Sequence, residues 1–304
     1  MNSIASKIAT LKRLASTIRE STKSFDEIKI NQGVILAQFN LHKRSTNIQD
    51  YEFKVFSQWG EDGILQYLTS VIEIPQKTFI EFGVEDFSES SCRFLLMKDN
   101  WRGFVLDGSS EKIERLKGSY YYWRHDLSAK AAFITQENVN GLLAQSGFDE
   151  ELGILSIDID GNDYHVCKAI TGFRPRILVC EYNAVFGAKR LISVPYDPDF
   201  VRTARHNSNL FYGASLAALV LLAGKKGYSL VGTNSAGNNA FFVRNDLVND
   251  KLKVLDAATG FTPSWFRESR DPDGNLTYVG GEARVRLLQG LQVLNVETDA
   301  IEDL

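Results

Sequence analysis

The sequence predicts an α/β fold in which an open, mostly parallel sheet is covered by helices on both faces. Short apolar runs of strand length alternate with helical stretches through the middle of the chain, which is typical of βα units. Two later apolar runs, 228–232 and 239–244, are joined by a glycine-containing turn and predict a terminal antiparallel hairpin. The 304 residues, 44% of them hydrophobic, suffice for one large domain with smaller attachments.

Five strands with right-handed crossovers are expected in the central part of the chain. They are Lys77–Val84, Gly103–Asp107, the aromatic stretch Tyr120–Trp123, Leu152–Ile159 and Arg176–Tyr182. Residues 1–50 are expected to form a helical extension of two helices, with Ser24 and Asp26 as candidate N-caps of the second. Residues 51–247 would form the sheet domain, and residues 248–304 a small irregular appendage.

Composition and charge argue against several classes of protein. The net charge is −4 with both signs interspersed, so no nucleic-acid partner is expected. The most apolar window, 214–223, is shorter than the roughly 20 residues of a membrane-spanning helix, and the amino terminus has no apolar leader-like run. Three widely spaced cysteines, an odd number, favour a reducing, cytoplasmic location without structural zinc.

The first 23 residues combine five basic side chains and one acidic side chain with apolar residues at helical spacing. The apolar residues are Ile4, Ile8, Leu11, Leu14, Ala15 and Ile18. A basic amphipathic helix is therefore expected, packed on the main domain or on a second copy of the chain. A membrane-surface helix is the alternative, which the lack of Trp and Phe in this segment disfavours.

Acidic residues follow the predicted strands, and ligands of an open parallel sheet bind beyond the carboxyl ends of its strands. Asp107 ends the second strand, where a carboxylate can accept both hydroxyls of an adenosine ribose. The turn after the first strand has one glycine, Gly83, followed by Glu85 and Asp86, so it would repel a pyrophosphate. This disfavours NAD, FAD and ATP, whereas S-adenosylmethionine carries a cationic sulfonium and no phosphate.

A second group of polar residues follows the fourth and fifth strands. Period-two spacing places Asp158 and Asp160 on one side of the sheet, and Glu181 and Asn183 end the next strand. Oxygen ligands of this kind suit Mg²⁺, which could activate an acceptor hydroxyl, so Asp158, Glu181 and Asn183 are candidate metal ligands. Alternatively, the segment 160–163 is only a turn followed by a helix cap at its last residue.

Several segments together resemble the FkbM-type branch of the class I S-adenosylmethionine-dependent methyltransferases. They include FSQWGEDG, FIEFGVED, WRGFVLDGS, LGILSIDIDGND and RPRILVCEYN, and the resemblance covers roughly residues 50–247. The resemblance implies a Rossmann-like class I methyltransferase sheet and the use of S-adenosylmethionine. It extends to a subgroup often found with bacterial surface-polysaccharide genes, which implies O-methylation of a sugar or glycan hydroxyl.

The resemblance also implies roles for individual residues. Glu81 and Gly83 would line the methionine part of the cofactor, and Asp107 would bind the ribose. Asp126, at the end of the predicted third strand, would contact the adenine edge. Gln58 would close the pocket from above. The later glycines of the usual first loop are replaced here by acidic and aromatic residues.

Methyl transfer is an in-line displacement, so the enzyme must align the acceptor and remove its proton. His206, in the long loop 183–211, is the candidate base, and Asp160 competes with it. Two alternatives to a methyltransferase stay open. One is an inactive scaffold, suggested by the altered first loop; the other is a metal-dependent sugar-nucleotide enzyme using Asp158, Asp160 and Glu181.

Overall fold

The computed structural model describes residues 2–304, without the side chains of residues 2–5, 15 and 19. The strands of the described chain are β1 (Thr78–Phe82), β2 (Arg102–Asp107), β3 (Leu127–Ala131), β4 (Ile154–Ile157), β5 (Ile177–Glu181), β6 (Ile192–Ser193), β7 (Tyr228–Thr233), β8 (Asn239–Arg244), β9 (Gln292–Asn295) and β10 (Ala300–Asp303). Seven of them form a sheet in the order β3-β2-β1-β4-β5-β8-β7, and β10, β9 and β6 form a second sheet. The predicted α/β fold is confirmed.

Strands β1 to β5 of the large sheet are parallel, and β8 pairs antiparallel with both β5 and β7. The predicted terminal hairpin is therefore correct. The order 3-2-1-4-5 is that of a doubly wound sheet, in which the chain direction across the sheet reverses between β1 and β4. This switch point places the expected ligand crevice beyond the carboxyl ends of β1 and β4.

Helices cover both faces of the large sheet. The helices of the described chain are α1 (Asn2–Asn40), α2 (Glu61–Val71), α3 (Arg93–Asp99), α4 (Ser110–Lys117), α5 (Tyr120–Arg124), α6 (Val139–Ala144), α7 (Asp163–Ala169), α8 (Arg202–Arg205), α9 (Leu216–Lys225), α10 (Ala257–Gly260) and α11 (Glu282–Arg286). Along β1, Ile80 and Phe82 pack in the core on one face and Phe79 in the core on the other. Burial on both faces explains why the strands read as continuous apolar runs.

The third predicted strand was wrong. Tyr120–Trp123 forms helix α5, in which Tyr121 is buried and Trp123 is 76% exposed. A helical turn allows the Tyr121 ring to pack against Phe87 and under the Arg93 guanidinium, and these contacts override the strand propensity of aromatic residues. The actual strand, β3, follows at Leu127–Ala131 and pairs with β2.

The amino-terminal region forms one helix rather than the two expected. Ser24 donates its hydroxyl to the Glu20 carbonyl inside α1 instead of capping a new helix. Asp26 pairs with the buried Arg93 at 2.6 Å. The second half of α1 packs tightly on the domain, since a Cβ on Gly33 would lie 2.6 Å from the side chains of Phe94 and Val55. The side chains of residues 4 and 15 in the amphipathic pattern lie outside the described ones.

The carboxyl-terminal segment is more regular than expected. Its strand β9 pairs with β6, which belongs to the loop 183–211. Leu288 and Val293 enter an apolar cluster with Ile192, Phe200 and Leu210 of that loop. The segment 248–304 therefore holds the long loop in place.

Among the described helices, none is long and apolar enough to cross a membrane.

Candidate functional site

A cavity of about 540 Å³ opens beyond the carboxyl ends of the central strands. Its lining from the strand ends includes Glu81, Gly83, Ser156, Asp158, Glu181 and Asn239. A second cavity of about 180 Å³ adjoins the first, and the two share Gly83, Glu85 and Asp158 in their walls. The second cavity extends to Asp107 at the end of β2. The two cavities lie at the switch point of the sheet, where a ligand is expected.

Gly83 allows the ends of β1 and β4 to approach closely. Its φ is +73°, and a Cβ at this position would lie 1.5 Å from the Asp158 carbonyl oxygen. Only glycine fits both constraints. The loop then turns through Glu85 and Phe87, which also have positive φ angles of 51° and 64°. The first loop is thus a strained turn rather than a glycine-rich phosphate loop.

Asp107 holds this loop in position. One carboxylate oxygen accepts the Glu85 N–H at 2.7 Å, and the other accepts the Ser109 N–H at 2.7 Å. Each oxygen keeps a further lone pair, and the side chain lines the smaller cavity beside Gly83. The carboxylate can therefore order the loop and still accept a hydrogen bond from a ligand hydroxyl.

Glu81 is a buried carboxyl group that lines the larger cavity, with 5% of its surface exposed. It accepts hydrogen bonds from the Ser90 hydroxyl at 2.6 Å and from the N–H groups of Ser91 and Cys92. Burial nevertheless raises the pKa of Glu81 to about 7. It lies at the wall of the cavity next to Gly83.

The loop before α2 forms the upper wall of the larger cavity and includes Gln58. Asp62 accepts the three N–H groups of residues 55–57 at 2.7–2.8 Å. Glu61 accepts two further N–H groups of this loop and the side-chain amides of Asn234 and Asn239. The sequence analysis missed these anchors. The signal was present, because two acidic residues begin the helix directly after Gly60, and acidic side chains near a helix N-terminus can accept free N–H groups.

Asp158 and Glu181 lie together at the floor of the larger cavity, and carboxylate oxygens of these two residues and of Asp163 lie within 4.8 Å of one another. Burial raises the pKa of both Asp158 and Glu181 well above ordinary values, and neighbouring carboxylates raise it further. Among the described residues, Glu181 Oε2 has no hydrogen-bond partner. Repulsion between two negative charges this close disfavours ionisation of both groups at once.

Two of the three predicted metal ligands come together in the structure. Asp158 and Glu181 come together as expected, and Mg²⁺ is commonly held by one or two carboxylates plus water. Asn183 does not join them. Its carbonyl oxygen accepts the Val185 N–H, and its amide donates to the carbonyls of Leu210 and Tyr212. Its side chain is therefore used to order the loop that follows β5.

Asp163 is the third carboxyl of the group, and it has a structural partner for each oxygen. It accepts the N–H groups of Ile159 and Gly161 at 2.8 and 2.9 Å. The alternative interpretation of this segment is correct for the turn but wrong for the cap. Asn162 is the N-cap of α7, and Asp163 is the first residue of the helix, with its carboxylate bonded back to the turn that precedes it. Burial raises its pKa to about 6.

Asp160 lies at the mouth of both cavities, where its carboxylate pairs with the Arg202 guanidinium. Arg202 in turn lies over the Tyr212 ring, 3.9 Å from its centroid. Asp160 has a left-handed backbone with φ of 55°, which turns its side chain toward the long loop and away from the carboxyl pair at Asp158. Asp160 therefore links the sheet edge to the long loop 183–211 through Arg202.

Two predicted residues do not reach the cavities. Asp126 precedes β3 and therefore lies at the amino-terminal edge of the sheet, where it pairs with Arg102 at 2.6 Å. Its assignment to the adenine edge was a consequence of the misplaced third strand. His206 is half-buried outside the cavity lining, with Nδ1 2.7 Å from the Ser208 hydroxyl. Burial lowers its pKa.

No family model and no curated protein matches this chain. Solved structures that are similar to it include the N-terminal domain of EvdMO1 with SAH bound, at 12% identity and a TM-score of 0.39, covering 62% of this chain and 80% of that one. Another is the O-methyltransferase from Bacillus cereus in complex with SAH, at 12% identity and a TM-score of 0.39, covering 70% and 88%. A SAM-dependent methyltransferase from Geobacter sulfurreducens in complex with S-adenosyl-L-homocysteine has 16% identity and a TM-score of 0.33, covering 61% and 70%.

Proposed function

We propose that this chain is an S-adenosylmethionine-dependent O-methyltransferase that acts on a sugar or glycan hydroxyl in surface-polysaccharide biosynthesis. The observation that carries the proposal is the pair of adjoining cavities at the switch point of the sheet. Glu81, Gly83 and Asp107 line them, at the ends of β1 and β2. These residues fit the methionine and ribose parts of the methyl donor, as the sequence motifs imply.

The charge of the cavities supports a cationic cofactor. Acidic side chains dominate the lining. Burial raises the pKa and favours the protonated forms of Glu81, Asp158 and Glu181, so the negative charge comes from exposed residues, which include Glu85, Glu89, Asp160 and Glu268. The basic side chains in the two linings are Arg202 and Lys112, which pair with Asp160 and Glu85 respectively. An acidic wall attracts the sulfonium and ammonium groups of S-adenosylmethionine and repels a pyrophosphate. The same charge disfavours the alternative of a sugar-nucleotide enzyme.

We assign proton removal to the carboxyl pair of Asp158 and Glu181, in place of the sequence-derived candidates. The cofactor supplies a methyl group on a cationic sulfur. As the acceptor oxygen bonds to that methyl carbon, the carbon–sulfur bond breaks and the hydroxyl proton passes to the ionised member of the pair. The raised pKa of this pair suits a general base, because its proton affinity is higher than that of a solvated carboxylate.

Mg²⁺ at the same two carboxylates is a second proposed mode of activation. Asp158 and Glu181 would hold the ion, which when bound would lower the pKa of the acceptor hydroxyl. A proton and a divalent cation compete for the same oxygens of Asp158 and Glu181. Whether turnover requires Mg²⁺ therefore distinguishes the two modes.

An aromatic cluster beside the cavity supports a saccharide acceptor. The Trp59 ring stacks on Phe266 with centroids 5.5 Å apart, and Trp265 packs against Trp59 at 5.3 Å. Trp265 is 63% exposed, yet its indole N–H is bound to the Ser235 carbonyl, so the open ring has a defined orientation. Fixed, exposed aromatic faces can stack on sugar rings. The cluster lies beside the cavity, because the cavity is lined by Gln58, which precedes Trp59, and by Glu268, two residues after Phe266.

We also propose a cytoplasmic location. Its support is that Cys92, Cys167 and Cys180 are free and buried, as in proteins of reducing compartments. In this proposal the methyl donor is used on the cytoplasmic side of the membrane.

The experiment is calorimetry of the purified chain with S-adenosylmethionine and with S-adenosylhomocysteine. We expect one molecule of either to bind, and Asp107→Ala to abolish binding because it removes the ribose acceptor and releases the first loop. Asp126→Ala is the matched control, since this aspartate lies at the opposite edge of the sheet. Absence of binding by the unaltered chain would favour the scaffold. Stabilisation only by a sugar nucleotide with Mg²⁺ would favour the other alternative.

A further inference from the structure

Helix α1 projects beyond the domain and leaves a large apolar stripe uncovered. Residues 6–22 are exposed at every position whose side chain is described. Over these residues the helix extends roughly 25 Å without packing on the rest of its own chain. An isolated helix of this kind gains little stability from its own hydrogen bonds, so its apolar side chains call for a partner surface.

The stripe follows a seven-residue repeat. One row contains Leu11, Ile18, Phe25 and Phe39, spaced by seven residues except at the polar Gln32. A second row, three residues further along, contains Leu14, Ile28 and Ile35, with Ser21 between the first two. All seven apolar side chains of the two rows are between 53% and 67% exposed. These rows correspond to the a and d positions of a coiled coil.

The face that packs on the domain is the opposite one. Asp26, Gly33 and Asn40 are buried, and they occupy the b positions of the same repeat. Ile30 and Ala37 contact the apolar cluster of Phe53 and Phe94 from f positions. The domain thus uses the b and f positions, which point away from the seam of a coiled coil. Docking of α1 on its own domain therefore leaves the a and d rows free from Leu11 to Phe39.

The period of the stripe distinguishes a helical partner from a membrane surface. On a straight helix a seven-residue repeat drifts by about 20° per repeat, so the row from Leu11 to Phe39 turns by about 80°. A flat membrane needs an apolar face that stays on one side of the helix. A second helix that winds around the first follows the drift, which produces a left-handed supercoil.

We propose that α1 forms a two-stranded, left-handed coiled coil with α1 of a second copy of this chain. At roughly 100 Å² of exposed surface for each of the seven side chains, the stripe offers about 700 Å² per chain. Ile8 and Leu36, which flank the stripe and are 49% and 41% exposed, enlarge it. The total matches the roughly 800 Å² per partner of a stable protein–protein interface. This proposal does not depend on the proposed enzymatic function.

The test is the mass of the full chain in solution by light scattering after size exclusion. We expect twice the chain mass of 34.1 kDa. The double variant Leu11→Glu/Ile18→Glu places charges in the seam and should yield a monomer at micromolar concentration. The matched control is Ala9→Glu/Ser16→Glu, which adds the same charges at exposed f positions and should stay dimeric.

The cooperative thermal transition of the domain should be the same in both variants, because residues 9–18 do not pack on it. A monomeric unaltered chain would overturn the proposal, as would a seam variant that stays dimeric. A chain that is monomeric in solution and binds vesicles of anionic lipid through Leu11 and Ile18 would also overturn it, in favour of a membrane surface.

Discussion

Substitution of Gly83 by alanine tests the close approach of β1 and β4 that shapes both cavities. The added Cβ would lie 1.5 Å from the Asp158 carbonyl oxygen, about 2 Å closer than van der Waals contact allows. Alanine at a φ of +73° costs roughly 1–2 kcal/mol. Relief of the overlap by displacement of backbone costs a further 1–3 kcal/mol, in the range of overpacked cores. We therefore expect a loss of about 2–5 kcal/mol in the free energy of unfolding.

Urea unfolding measures this loss, and Gly172→Ala provides the control. Gly172 has a similar φ of +82°, but a Cβ there meets no heavy atom within 4 Å. Gly172→Ala should therefore lose only the backbone contribution of about 1–2 kcal/mol. Calorimetry with S-adenosylmethionine should show at least a tenfold loss of affinity for Gly83→Ala and none for Gly172→Ala. Equal stability and equal affinity of the two variants would refute the contact between β1 and β4.

The other predictions concern buried acids, the metal and the base. Burial raises the pKa of Glu81 from 4.5 to about 7, so the folded state binds more protons than the unfolded state between these pH values. The unfolding free energy should therefore fall as pH rises across that range. Glu81→Gln should flatten this slope in urea titrations, and an unchanged slope would contradict the burial argument. If Mg²⁺ activates the acceptor, excess EDTA should abolish methyl transfer, and full turnover in EDTA rejects the metal. Glu181→Gln should lower turnover at least 100-fold while donor affinity changes little, and wild-type turnover would exclude this carboxyl group from proton removal. His206→Ala should leave turnover within about twofold, and a large loss would restore the histidine as a candidate base.

The sequence was sufficient to predict the residues that depend only on strand periodicity. Asp158 and Glu181 each follow a buried apolar run, and neighbouring parallel strands bring their ends to one edge of the sheet. Asp107 was singled out for the same reason, whereas Gly83 was assigned to the site through the family resemblance. Such predictions need only the element type and its last residue, which long apolar runs indicate well.

The remaining site residues depend on contacts that no local pattern contains. Asp126 was misplaced because an aromatic run with strand propensity forms a helix when Tyr121 packs against Phe87. The role of Asn183 is set by carbonyls about thirty residues later in the chain, and that of Glu61 by amides of the terminal hairpin. Asp26 has the residue type of a helix cap, but it forms an ion pair with the buried Arg93 instead.

If the proposed function holds, the pairing of β6 with β9 bears on acceptor specificity. Because the terminal segment is bonded to the loop 183–211 before any acceptor arrives, the acceptor side of the cavity is preorganised, and little chain entropy is lost when the complex forms. Under the proposed function, variation within residues 288–296 would therefore change acceptor preference without altering the carboxyl pair of Asp158 and Glu181. Selectivity would then evolve through a terminal segment that lies outside the seven-stranded sheet.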